Sequence, residues 1–131
     1  MSDETRRLVA EYVEAVSTGD FERLTALVHP EATFGGTVVS ETAGGEAFVQ
    51  GFRNLWPITV RIDVREMVVT EDHAVVLYDF VTDTPAGSVL SSEFLSVDGG
   101  RIRSSILLFD WRRWPEVIAE LKSRMAMKGE A

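Results

Sequence analysis

The chain has 131 residues, no cysteine and a net charge of −8, from 21 acidic and 13 basic side chains. That length fits one domain, which we take as residues 1–131. The lack of cysteine excludes disulfides and thiolate metal sites, and the acidity argues against a nucleic-acid partner. No apolar run is long enough for a membrane helix and no signal peptide is recognisable, so we expect a cytoplasmic protein without a membrane partner.

Three helices are predicted first. Residues 4–17 form the first helix, because apolar side chains recur there at helical spacing: Leu8, Val9, Tyr12, Val13 and Val16. Asp20 is a candidate N-cap for a second helix that ends at His29-Pro30. A third helix runs from Gly45 to Trp56 and stops at Pro57.

Strands follow the helices. Alternation predicts a half-buried strand over residues 60–65, and further strands are expected over 74–81, 89–97 and 102–110. The last two are joined by Asp98-Gly99-Gly100, a strong hairpin signal. Pro115 opens a final helix with one apolar face, made of Val117, Ile118, Leu121 and Met125. Helices followed by strands indicate the α+β class.

Three carboxylates lie within apolar strand-like segments, where an unpaired charge is costly: Asp79, Glu93 and Asp110. If Tyr78 and Phe80 face a pocket, alternation turns Asp79 outward, toward solvent or a dimer interface. Glu93 is the lone acid on its face of a strand, which makes it the more suggestive candidate. Asp110 ends the last strand, where it is equally suited to capping the following turn.

Two regions resemble the nuclear transport factor 2-like superfamily, with its SnoaL-like, ketosteroid isomerase-like and limonene epoxide hydrolase-like members. They are residues 12–24, beginning Tyr-Val-Glu-Ala-Val, and residues 92–111, with Ser-Glu-Phe-Leu-Ser and Leu-Leu-Phe-Asp-Trp. The resemblance implies a cone, in which a curved mixed or antiparallel sheet wraps around the N-terminal helices and a C-terminal helix follows. It implies an apolar pocket, for which we expect these wall residues: Phe34, Phe52, Trp56, Tyr78, Phe80, Leu95, Leu107 and Phe109. It also implies a homodimer, because relatives cover the open convex sheet face by pairing.

The isomerase-like branch suggests one set of roles. It implies that Tyr12 and a protonated Glu93 donate hydrogen bonds to a developing oxyanion, as in ketosteroid isomerase, the established example of this device. The base of those enzymes would fall at Gly36, which cannot accept a proton, and Glu41 is the nearest acid.

The epoxide hydrolase-like branch uses two acids bridged by an arginine. Glu93 and Asp110 match the acids, but the arginine position holds Ser91. The SnoaL-like branch requires an apolar cavity and one acid/base residue, for which Asp110 is the candidate, assisted by Glu93.

We therefore expect a small apolar ligand and a cyclase, isomerase or hydrolase without metal or organic cofactor, acting on a polyketide-like or terpenoid-like substrate. Asp110 would act as acid/base, with Glu93 and Tyr12 as oxyanion donors. The alternative is a non-catalytic ligand-binding or dimerisation module of the same fold.

Overall fold

The computed structural model describes residues 2–36 and 42–130. In chain order the elements are α1 (Ser2–Thr18), α2 (Phe21–Leu27), β1 (Val28–Gly36), β2 (Thr42–Ala43), α3 (Gly45–Leu55), a 3-10 turn (Trp56–Ile58), β3 (Thr59–Val69), β4 (His73–Thr82), β5 (Ser88–Asp98), β6 (Arg101–Phe109) and α4 (Trp114–Glu130). This confirms the α+β prediction. None of the helices so described is long and apolar enough to cross a membrane.

The strands form one curved, open sheet in the order β2-β1-β6-β5-β4-β3. Strand β1 runs parallel to β6, and the other neighbours are antiparallel. The predicted hairpin is confirmed: Asp98 pairs with Arg101, and Gly99 and Gly100 supply the two positive φ angles of the connecting turn.

The main core lies between α1, α3 and the inner face of the sheet. The predicted apolar face of α1 is confirmed, because Val9 and Tyr12 are fully buried and Leu8, Val13 and Val16 nearly so. Burying one such side chain contributes about 1.5–3 kcal/mol, so this face anchors α1 on the sheet.

Several boundaries differ from the prediction. Helix α2 ends at Leu27, and β1 already begins at Val28, two residues before Pro30. In β3, Val60 and Val64 are exposed while Ile62 turns inward, because the pairing with β4 shifts register near both valines. Met125 of α4 is 61% exposed, so it does not share the buried face of Val117 and Leu121.

Gly19 connects α1 and α2 in a left-handed conformation, with φ of 72°. A Cβ atom there would lie 2.6 Å from the ring of Trp56. We expect Gly19→Ala to lower the free energy of unfolding by about 1–3 kcal/mol, from backbone strain and displacement of that ring.

Urea denaturation measures this effect, with Gly51→Ala as the control. A Cβ atom at Gly51 of α3 meets open space, so the control should gain about 0.5–1 kcal/mol. Equal stability of Gly19→Ala and wild type would contradict the assignment.

Candidate functional site: a buried carboxyl behind an apolar cavity

Three hydroxyl groups converge on the carboxyl of Glu93. Tyr12 Oη and Ser105 Oγ donate to Oε1 at 2.8 Å and 2.7 Å, and Tyr78 Oη donates to Oε2 at 3.0 Å. All four side chains are buried. They belong to α1, β4, β5 and β6, so the cluster exists only in the folded chain.

Strand pairing explains the convergence. Glu93 pairs with Val76 on β4 and with Leu107 on β6. Tyr78 and Ser105 lie two residues along those strands from the direct partners, so they share the inner face with Glu93. Tyr12 approaches the same point from the buried face of α1.

No cation pairs with Glu93 among the residues that the structure describes; the hydroxyls are its partners. Burial raises the pKa of the Glu93 carboxyl, and the hydrogen bonds from Ser105, Tyr12 and Tyr78 only partly oppose this. Burial, together with the adjacent Glu93, also raises the pKa of Tyr12 and of Tyr78 well above the ordinary phenol value. The cluster therefore favours protonated side chains.

An almost wholly apolar cavity of about 120 Å³ lies beside this cluster. Tyr78 belongs to both, since its side chain lines the cavity and its hydroxyl contacts Glu93. Neither Glu93 nor Tyr12 is part of the cavity wall. The carboxyl thus lies one hydroxyl group behind the cavity surface.

The hydroxyl protons in the cavity wall already have acceptors within the protein. Thr59 donates to the Leu55 carbonyl oxygen at 2.8 Å, and Ser91 donates to the Val89 carbonyl oxygen at 3.0 Å. Tyr78 donates to Glu93. In this arrangement none of these three hydroxyl groups has a proton free for a ligand.

All but one of the residues expected in the cavity wall lie on it. Those on the wall are Phe34, Phe52, Trp56, Tyr78, Phe80, Leu107 and Phe109. Leu95 does not line the cavity, since it is fully buried in the main core. The prediction missed this because strand alternation indicates which face a residue occupies but not how deeply it is buried. The other wall residues, which sequence reasoning did not name, are Val16, Gly51, Leu55, Thr59, Ile62, Ser91 and Trp114. For Ser91 a signal was available, since it lies two residues from Glu93 on the same strand face.

Asp110 lies apart from Glu93. Its carboxylate accepts two hydrogen bonds from the Arg112 guanidinium, at 2.8 Å and 2.6 Å, and one from the Arg112 backbone N–H at 3.2 Å. These bonds lower the pKa of Asp110 to about 2. Asp110 stabilises the turn before α4, which begins at Trp114, and is absent from the cavity wall. The structure does not bring the two expected acids together.

Asp79 faces outward, as alternation requires when Tyr78 and Phe80 line the cavity. Its carboxylate accepts two hydrogen bonds from Arg65 of β3, at 2.8 Å and 3.0 Å. Asp79 is therefore part of an ion pair on the outer face of the sheet.

Gly36, where the resemblance placed the isomerase base, has no room for a side chain. Gly36 pairs with Leu107 across the parallel β1–β6 ladder. A Cβ atom on Gly36 would lie 1.8 Å from the Leu107 carbonyl oxygen, so only glycine fits. Glu41 lies outside the described residues. Within residues 2–36 and 42–130, no group of three or more His, Asp or Glu side chains could hold a metal ion.

Comparison with known proteins assigns the chain to a family. The chain belongs to the SnoaL-like domain family. The model of that family matches residues 9–105, a region that includes all four members of the Glu93 cluster. This family lies within the nuclear transport factor 2-like superfamily, as the resemblance implied. No curated protein matches the chain.

Solved structures share the fold at low sequence identity. An NTF2-like protein of unknown function from Cytophaga hutchinsonii is 22% identical, with a TM-score of 0.74 over 86% of this chain and 95% of that one. A candidate SnoaL-like polyketide cyclase from Shewanella putrefaciens is 15% identical, with a TM-score of 0.74 over 92% and 88%. A candidate ketosteroid isomerase from Kribbella flavida is 14% identical, with a TM-score of 0.74 over 83% and 79%. At these identities the likeness shows the fold alone.

Glu93→Gln tests the state of the buried carboxyl. A raised pKa in the folded chain means that Glu93 favours folding fully below its ordinary value of 4.5 and loses this contribution as pH rises through the folded pKa. Glutamine does not titrate. Relative to wild type, the variant should therefore gain up to about 1.4 kcal/mol per pH unit within that window.

Urea denaturation of both proteins across a pH series measures this difference. Ser96→Ala is the control, because Ser96 bonds Ser104 outside the cluster and should follow the wild-type pH profile. Parallel pH profiles for wild type and Glu93→Gln would show that Glu93 titrates alike in folded and unfolded chains.

Proposed function

We propose that this SnoaL-like protein is an enzyme that binds a small apolar molecule in the cavity and acts on an oxygen atom of that molecule through Tyr78. The observation that carries the proposal is the contact between Tyr78, on the cavity wall, and the buried Glu93 carboxyl. Pairs of this kind, a phenol supported by a neutral acid in an apolar site, stabilise developing oxyanions.

The proton on Glu93 decides what Tyr78 offers to a ligand. An ionised Glu93 accepts the phenol proton, which leaves only an acceptor oxygen facing the cavity. A protonated Glu93 can donate to the Tyr78 oxygen instead, which frees the phenol proton for a carbonyl oxygen in the cavity. Burial without a cation favours the protonated form.

This arrangement supplies the acid half of a proton-transfer reaction. A donor at a carbonyl oxygen stabilises the enolate that forms when a neighbouring carbon loses its proton. Because Gly36 excludes the isomerase base, the reaction suited to this site is a cyclisation or isomerisation in which the substrate carbon is itself acidic and water takes its proton. Asp110 is held by Arg112 at the surface, so we assign the acid role to Tyr78 and Glu93 and a supporting role to Tyr12.

The same missing base supports a second candidate, a binding protein without turnover. Both candidates need a ligand that contacts Tyr78. Turnover of a bound ketone, measured as exchange of its α-hydrogens with deuterium from the solvent, separates them. Binding without exchange above the buffer rate would favour the binding protein.

Tyr78→Phe and Tyr12→Phe form a matched pair, because each removes one hydroxyl from Glu93 and only Tyr78 reaches the cavity. The probes are three ketones of increasing size, cyclohexenone, tetralone and androstenedione, and calorimetry measures their binding. We expect Tyr78→Phe to weaken the best-binding ketone by about tenfold, the value of one hydrogen bond, while Tyr12→Phe changes affinity less than threefold, within about 0.7 kcal/mol.

Binding of the best ketone should also weaken as pH rises through the Glu93 pKa, and this dependence should disappear in Tyr78→Phe. Equal losses in the two phenylalanine variants would show that the hydroxyls act on stability alone. Absence of binding by all three ketones would reject the proposal.

We also propose that the chain forms a homodimer through the outer face of the sheet. One cross-strand row on that face is apolar along four strands: Val68, Val75, Phe94 and Ile106. Val68, Phe94 and Ile106 are 57%, 45% and 50% exposed in the isolated chain. A contiguous apolar patch of this kind marks an interaction surface, and a second copy supplies a matching one.

Phe94→Lys tests this pairing, because a lysine at the centre of the row would be buried against the partner. We expect the dimer of this variant to have a dissociation constant at least about tenfold higher than that of the wild type, measured by sedimentation equilibrium. Met125→Lys is the control, since Met125 is equally accessible but lies on α4. A wild-type chain that sediments as a monomer at millimolar concentration would contradict the proposal.

A further inference from the structure

The size of the cavity limits its ligand more sharply than its chemistry does. Pockets for drug-sized molecules measure about 300–1,000 Å³, and an engineered apolar cavity of about 150 Å³ admits one benzene ring. The cavity beside Tyr78 measures about 120 Å³. A molecule of several fused rings does not fit in that space.

The wall is also largely aromatic, and the space between its rings is called the slot below. Seven of its side chains are aromatic: Phe34, Phe52, Trp56, Tyr78, Phe80, Phe109 and Trp114. Two pairs of these rings pack edge-on against each other. The ring centroids of Phe34 and Phe52 are 5.7 Å apart, and those of Phe109 and Trp114 are 4.7 Å apart. Edge-on packing of this kind resists rearrangement, so the slot does not widen without loss of these contacts.

Gly51 lies on the cavity wall and at the protein surface. It is the one glycine on the wall, it is exposed on α3, and a Cβ atom there would meet no other atom within 4 Å. A glycine inside a helix costs stability relative to alanine. At Gly51 the missing side chain leaves open space beside the cavity wall.

We propose that the ligand of this cavity is a molecule with a single six-membered ring and one carbonyl oxygen, which contacts Tyr78, and that Gly51 keeps the entrance open for that ring. The inference rests on the proposed function of Tyr78 and adds the ligand class. It narrows the expectation of a polyketide-like or terpenoid-like substrate to molecules with one ring, because the cavity measures about 120 Å³.

The test uses the wild-type chain and the same ketones, which carry one ring, two rings and four rings: cyclohexenone, tetralone and androstenedione. Calorimetry should show binding of cyclohexenone, with tetralone weaker by at least about tenfold and androstenedione undetected, because a steric clash excludes the larger ketones. Trp114→Ala removes one wall of the slot, so it should strengthen tetralone binding without a matching gain for cyclohexenone.

Gly51→Leu tests the entrance. The leucine side chain enters open space, so the urea midpoint should not fall, while cyclohexenone binding weakens by at least about tenfold. Gln50→Leu is the matched control, since Gln50 is the exposed neighbour of Gly51 on α3 and does not line the cavity. It should bind cyclohexenone like wild type.

The outcomes separate the two proposals. Tight binding of tetralone or androstenedione that Tyr78→Phe weakens would overturn the single-ring inference and leave the proposed function standing. Unchanged cyclohexenone binding in a folded Gly51→Leu would overturn the role of Gly51. If no ketone binds the wild-type chain, the proposed function and this inference fail together.

Discussion

The burial of one carboxyl without a cation is the constraint on which the rest of this structure depends. Glu93 is 3% exposed and is held by hydroxyls from α1, β4 and β6. An unpartnered carboxyl in that place would cost several kcal/mol, so the three elements must meet at one point for the chain to fold. The first helix is thereby fixed on the sheet by a polar contact as well as by its apolar face.

The same carboxyl is linked to the apolar cavity through its hydrogen bond with Tyr78, which lines the wall. The wall is otherwise aliphatic and aromatic, and the hydroxyls of Thr59 and Ser91 are committed to backbone carbonyls. Tyr78 is the exception, because its hydrogen-bond acceptor is the Glu93 carboxyl, which can take up a proton. In the proposed function, a change of protonation at Glu93, which does not line the cavity, therefore alters what a ligand meets at Tyr78.

The sequence predicted the parts of this arrangement that depend on local pattern. The α1 face and the Gly99-Gly100 hairpin follow from spacing, and Glu93 stood out as the lone acid on its face of an apolar strand. Ser105 carries no such signal, since a serine inside a strand faces either side equally well. The positions of Leu95 and Asp110 depend on sheet curvature and on the turn before α4, which alternation does not encode.

The fold does not determine which reaction the protein catalyses. The close approach of β1 to β6 restricts the choice, because it limits which side chains β1 can carry. Gly36 is needed because the Leu107 carbonyl oxygen occupies the space of any side chain there. A carboxylate base at that position and this parallel ladder exclude each other. In the proposed function the chain uses the acid side of the chemistry, in Glu93 and Tyr78, without a base on β1. On that proposal the site selects substrates by their own carbon acidity, and the small cavity restricts them further to molecules that place one carbonyl oxygen against Tyr78.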